Sequence, residues 1–269
     1  MRTSIVTFGL AIGAGLVIGL PALSQMAATE SPEARGDRRV EILQGRSVAL
    51  NGGRDQGAIA CARCHELDGA GNASGAFPRL TDQSGWYLYK TLQDYAAGLR
   101  PNAVMAPIAK ALTEDEMLAV SSYYASLEDA PYPAPPRTDV ELMQIGGAIS
   151  ARGIPEQGVP ACGGCHGEDG VGKPPFYPYV AGQFAPYLEY QLLQWKKGVR
   201  KGDPQSVMEL IAKAMTEDQI RAVSLFLANV RGREITPDEP RFRPPEAVRR
   251  PDRGQDTGAA AGDAPARRP

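Results

Sequence analysis

"ACARCHELDGAG" runs from Ala60 to Gly71, and "ACGGCHGEDGVG" runs from Ala161 to Gly172. These two stretches hold all four cysteines and both histidines of a 269-residue chain. Any chemistry that needs a thiol or an imidazole is therefore confined to them. The repetition also spreads outward. "LQGRSVALNGGRDQGAIAC" is answered by "MQIGGAISARGIPEQGVPAC", and "FPRLTDQSGWYLYKTLQDYAAGLR" by "YPYVAGQFAPYLEYQLLQWKKGVR". "VMAPIAKALTEDEMLAVSSYYASL" is answered by "VMELIAKAMTEDQIRAVSLFLANV". Two copies are too few for a solenoid, and each is long enough to bury a core of its own. The pattern is a tandem duplication of a small domain.

The rest of the chain falls into place around the copies. Residues 1–24 read as a signal peptide or an N-terminal membrane anchor, with Arg2 ahead of an uncharged run and small residues near Ser24. Residues 25–39 read as a flexible segment, 40–127 as the first domain and 139–230 as the second. Between the domains, 128–138 form a proline-rich linker whose prolines forbid a continuous helix. Residues 231–269, rich in Pro, Arg and Ala, read as a disordered tail. Within each copy the periodicity is helical. Thr113 and Thr216 stand before Glu-Asp and an apolar run as N-caps. Tyr87, Leu88, Leu92 and Tyr95 mark one helix, matched by Tyr187, Leu188, Leu192 and Trp195. A shorter helix is expected before each cysteine pair, and no alternating strand pattern occurs. The expected class is all-α. A net charge of −2 argues against a nucleic-acid partner. Glycine loops for nucleotides, nucleophile elbows and H-E-x-x-H helices are missing from the sequence.

Export would ordinarily turn four cysteines into two disulfides. A bond within C-x-x-C closes only a tiny loop and staples little. Cys61-Ala62-Arg63-Cys64-His65 and Cys162-Gly163-Gly164-Cys165-His166 instead match the attachment sequence of c-type haem. The paired thiols suit the two vinyl groups on one porphyrin edge, and the next residue brings imidazole under the iron. Zinc would want its pairs close together or further histidines, and a thioredoxin site needs a βαβ setting. With both histidines spent, methionine is the natural sixth ligand. Met143 lines up with Leu43, Met117 with Ile220 and Met215 with Leu112, which points to packing roles for those three. Met105 and Met208 face each other in the aligned copies, each after a loop bearing Gly, Pro or Asn.

At these residues the chain resembles a tandem class I cytochrome c, and most of all the dihaem cytochrome c4 family, over about residues 40–230. The likeness rests on C-x-x-C-H, on "FPRLTDQ" and "YPYVAGQ", and on the methionine segments followed by "IAKALTEDE" or "IAKAMTEDQ". The first copy departs from the usual A-G-Q with Thr81-Asp82-Gln83. The resemblance implies two small helical bundles, each around one covalently bound haem c, with haem edges near one another. It also implies that the carbonyls of Pro78 and Pro178 hold the other nitrogen of His65 and His166, the support that a ligating histidine needs. The alternative is that each proline only turns the chain. Trp86, Tyr87, Tyr187 and Trp195 are expected as pocket or core walls. "WKKGVRKGD" places Lys196, Lys197, Arg200 and Lys201 together, either as a solvated face or as a docking patch for an acidic redox partner.

Three functions compete. The first is a single-electron carrier of the periplasm, passing electrons from a quinol-oxidising complex or dehydrogenase to a terminal oxidase or similar acceptor. An uncleaved leader would hold such a carrier at the membrane. The second is the haem subunit of a flavin- or quinone-dependent dehydrogenase. The third is an enzyme such as a dihaem peroxidase, which requires an open iron beside an acid–base residue. Matched methionines in both copies argue against that.

Overall fold

The computed structural model describes residues 32–232 apart from 73–76, 128–129 and 138. The expected leader and almost all of the expected tail lie outside the described residues. Helices α1 (Pro32–Asn51), α2 (Ala62–His65), α3 (Gly85–Ala96), α4 (Met105–Ala111) and α5 (Glu114–Ser126) belong to the first copy. Helices α6 (Val140–Arg152), α7 (Cys162–His166), α8 (Ala185–Lys196), α9 (Val207–Ala214) and α10 (Glu217–Asn229) repeat that order. Extended pairing among the described residues is limited to two isolated bridges, Ile154 with Val159 and Lys173 with Tyr177. The all-α expectation therefore holds.

The first and last helices of each copy pack together, α1 on α5 and α6 on α10. One glycine makes each crossing possible. A Cβ on Gly45 would stand 1.9 Å from the Ala119 carbonyl oxygen, and one on Gly146 would stand 2.2 Å from that of Ala222. Both distances lie far inside van der Waals contact, so only hydrogen fits. Around the crossings Tyr89, Leu112, Met117, Val120 and Tyr124 close one core. Ile149, Leu188, Met215, Ile220 and Val223 close the other. The last helices start where their threonines predict. Thr113 and Thr216 each complete a capping box, with Glu116 and Gln219 reaching back to the cap.

Several expectations need correction. Helix α1 begins at Pro32, inside the segment 25–39 expected to be flexible. Pro32 fits a first helical turn because its fixed φ suits the turn and its missing N–H is not needed there. Nor are α1 and α6 short, at 20 and 13 residues. The expected tail likewise starts too early. Arg231 donates to the carbonyls of Ala228 and Pro133 and lies over the Tyr132 ring, so the body of the fold continues into it. Met117 and Met215 are buried, as their packing roles require. Met143 is only half-buried and its counterpart Leu43 is exposed, so that pair is not core.

The copies meet through reciprocal contacts. Arg100 of the first donates to Tyr187 of the second at 2.7 Å, and Arg200 of the second to Tyr87 of the first at 3.2 Å. Lys201 N–H donates to the Leu99 carbonyl at 2.6 Å. Its counterpart Pro101 has no N–H, so that bond has no mirror image. The connecting segment is pinned as well. Arg79 donates to the Ala130 and Pro131 carbonyls at 2.9 and 2.8 Å and pairs with Asp82 at 2.5 Å.

The two crossings define a stability test. Gly45→Ala and Gly146→Ala should each cost about 1–3 kcal/mol, because the helices must move apart. Gly36→Ala, on α1 with nothing within 4 Å of its added Cβ, should be neutral or mildly stabilising. Denaturant unfolding of the three variants checks both expectations.

Candidate functional site

Each C-x-x-C-H forms a single helical turn, α2 or α7, with the histidine as its last residue. A loop then doubles back beneath the imidazole. Gly71 N–H donates to the His65 carbonyl, and Gly172 N–H to that of His166, at 3.1 and 2.7 Å. The Asn72 and Lys173 amides donate to the carbonyls of Phe77 and Tyr177, both at 3.0 Å. Gly71 and Gly172 have φ of +76° and +79°, and a Cβ on either would sit 2.5 or 2.4 Å from the carbonyl oxygen of Phe77 or Tyr177. The last letter of each repeated dodecamer is therefore a steric requirement. It lets the returning chain come close enough for the next residue, a proline, to reach the histidine.

That reach is the central geometry of both sites. His65 Nδ1 lies 2.9 Å from the Pro78 carbonyl oxygen, and His166 Nδ1 lies 2.9 Å from that of Pro178. A carbonyl only accepts, so the proton is on Nδ1 and the lone pair of Nε2 is left for a metal. Burial lowers the pKa of both imidazoles, with the proline carbonyl opposing it, and favours the neutral form that can coordinate. Phe77 and Tyr177 meet the imidazoles edge-on, with ring centroids 6.3 and 6.4 Å away. No disulfide joins the four cysteines among the described residues. Burial pushes the Cys61 and Cys162 thiols up to about 11. Among the described residues no three His, Cys, Asp or Glu side chains converge as a metal-binding cluster.

Met105 opens α4, and Met208 is the second residue of α9; both are half-buried. The sequence suggested methionines following loops, and the structure makes them part of first helical turns. Asn102 Oδ1 accepts from the Met105 N–H at 2.8 Å, and Asp203 Oδ2 accepts from the Met208 N–H. These two anchors were missed in the sequence, although "PNAVM" and "GDPQSVM" carry the Asn/Asp turn chemistry that reveals them.

The basic run reads differently in three dimensions. Helix α8 ends at Lys196 and Gly198 turns the chain at φ +66°, so Arg200 leaves the helical face and enters the interface between copies. It is 5% exposed and lies over the Trp195 ring at 3.7 Å, which rules it out of any docking patch. Lys201 pairs with Glu209 at 2.9 Å, and Lys196 donates to the Met215 carbonyl at 2.5 Å. Lys197 alone of the four is exposed with no partner described for it here.

Arg100 and Arg200 also provide a test of fit for haem. Both are buried, both donate to Gln191 Oε1, and neither forms an ion pair among the described residues. Burial alone would raise the Tyr87 phenol, but the two guanidiniums beside it bring it down to about 8. Two buried cations with no directly paired carboxylate are costly. Arg100 Nε and Trp195 Nε1 are further buried donors with no acceptor among the described residues. Haem carries carboxylates that would meet such charges, so the residues present fit it.

Paired imidazoles under two single-turn C-x-x-C-H helices, in an all-α duplicate, define the class: a dihaem c-type cytochrome. The sequence profile of the cytochrome c family matches residues 51–128. A thiosulfate dehydrogenase electron acceptor of Stutzerimonas stutzeri is 37% identical over 196 residues, covering 73% of this chain and 90% of that protein. The cytochrome c4 of Thiocapsa roseopersicina is 34% identical over 169 residues, 62% of this chain and 85% of its own length. Among solved structures, reduced cytochrome c4 from Pseudomonas stutzeri superposes with a TM-score of 0.61 at 28% identity, covering 70% of this chain and 97% of that one. A thiosulfate dehydrogenase from Marichromatium purpuratum gives a TM-score of 0.63 at 36% identity over 70% of this chain, which spans only 40% of that longer one. The chain belongs to the cytochrome c4-like family of dihaem cytochromes. It carries two covalently bound haem c groups and works in electron transfer.

Asn102→Ala and Asp203→Ala should each release one methionine-bearing turn, at a cost of about 0.5–2 kcal/mol. Thermal unfolding measures that cost.

Proposed function

We propose that this protein accepts electrons one at a time from a dehydrogenase acting on thiosulfate and passes them to a terminal oxidase or similar acceptor in the periplasm. The observation that carries this reading is its identity to two thiosulfate dehydrogenase electron acceptors, 37% and 39%, against 30–34% for the cytochrome c4 and c-552 relatives. The superposition on part of a longer thiosulfate dehydrogenase chain supports a carrier that works directly against that enzyme. The substrate chemistry belongs to the partner, and this chain is a carrier without a reaction of its own. Residues 1–24 act as an export leader. No helix among the described residues is long and apolar enough to cross a membrane. Of the basic run, only Lys197 remains available to an acidic partner.

In this reading Cys61 and Cys64 hold one haem and Cys162 and Cys165 the other, through thioether bonds. His65, Met105, His166 and Met208 would supply the iron ligands, and the Pro78 and Pro178 carbonyls would fix the imidazoles. Haem supplies the one-electron couple. The chain's residues tether it, keep each imidazole neutral and oriented, and place a thioether that favours the ferrous state. Arg100 and Arg200 offer buried positive charge to the haem carboxylates.

Two experiments test this. Mixing the ferric protein with a thiosulfate dehydrogenase and thiosulfate should reduce both haems, whereas thiosulfate alone should not. Failure of reduction with the enzyme present would overturn the assignment of the donor. Met105→Ala and Met208→Ala should each open one iron to carbon monoxide and lower its potential. Met215→Ala, at a position 2% exposed, should cost about 2–5 kcal/mol of stability and leave both irons closed.

A further inference from the structure

The peptide group that holds each histidine is gripped from the opposite copy. The Pro78 carbonyl and the Arg79 N–H belong to one planar peptide unit. Its oxygen meets His65 Nδ1, and its N–H donates to Gln183 Oε1 of the second copy at 3.1 Å. Gln183 Nε2 also donates to the Arg79 carbonyl at 2.9 Å, so the side-chain amide binds the main chain at two points. The arrangement is crossed and repeated. The Pro178–Tyr179 peptide receives His166 at its oxygen, and its N–H donates to Gln83 Oε1 of the first copy at 2.9 Å. Gln83 Nε2 donates to the Tyr179 carbonyl at 2.9 Å. Each glutamine is itself held at home, its Oε1 accepting from Ser84 or Phe184 N–H at 3.1 Å where α3 or α8 begins. Gln83, Gln183, Arg79 and Tyr179 are all buried, so the chain of bonds runs through a medium of low dielectric.

We propose that Gln83 and Gln183 are crossed positioning residues, each fixing and polarising the carbonyl that orients the proximal histidine of the other copy. This rests on His65 and His166 being the proximal ligands. A peptide whose N–H is already donated is a stronger acceptor at its oxygen. A stronger bond to Nδ1–H makes the imidazole a more basic ligand, which favours ferric iron. Each half of the chain thus sets part of the electron affinity of the haem in the other half.

The test follows the two haems separately in the full two-haem protein. Cys61→Ala leaves one vinyl group conjugated to the haem on His65, so its α band moves to longer wavelength and marks it. In that background Gln183→Met, which keeps the volume but makes neither bond, should raise the midpoint potential of the marked haem more than that of the other. Gln83→Met should do the reverse. Amide exchange gives an independent readout, with protection lost at Arg79 in the first variant and at Tyr179 in the second. Equal shifts at both haems, no shift, or a shift confined to the mutated copy would overturn the relay. If Cys61→Ala marked no haem, the attachment reading would fall, and the relay with it.

Discussion

A hydrogen bond from imidazole to a proline carbonyl, 2.9 Å in both copies, organises what surrounds it. To make it, the chain must leave the histidine, reverse direction and return to it 13 residues later in the first copy and 12 in the second. The reversal needs glycines with positive φ, and the return needs a contact that no side chain on Gly71 or Gly172 would permit. The bond also selects the tautomer, so the carbonyl decides which ring nitrogen can face a metal. Burial then keeps the ring neutral. The turn of the chain and the tautomer of the ring depend on the same few atoms.

Around that bond the two copies are built to need one another. The interface is largely polar: amides, guanidiniums, phenols and main-chain groups that would be costly to bury without their partners. Arg79 holds the connecting segment on one side, while Arg100 and Arg200 share Gln191 on the other. Two like charges in one buried cluster are tolerable only where acceptors or negative charge are close by. The tyrosines supply the first, and the carboxylates of haem fit the second.

Much of this was legible in the sequence because the chain is written twice. The paired letters exposed both C-x-x-C-H turns, separated Met105 and Met208 from the packing methionines, and marked the threonine caps. What stayed hidden depends on where the chain turns. Arg200 sits four residues after Lys196 and looks like its neighbour on a helical face, yet Gly198 ends the helix between them. Gln83 and Gln183 were visible as a matched pair, but their partners are about a hundred residues away, and spacing carries no information on contact across two domains. Leu43 and Met143 matched as apolar letters without being core, since the exposed flank of a long helix tolerates them.

The unmatched bond at Lys201 has a consequence for how such a molecule can diverge. In a dimer of identical chains, every contact across the twofold axis occurs twice, and any substitution strikes both sides at once. Joining the halves in one chain lifts that constraint. Pro101 removed a donor on one side, while Lys201 kept its bond to Leu99 on the other. Each haem can then acquire its own surroundings one substitution at a time, and a pair of equal stopping places can become an upstream and a downstream one.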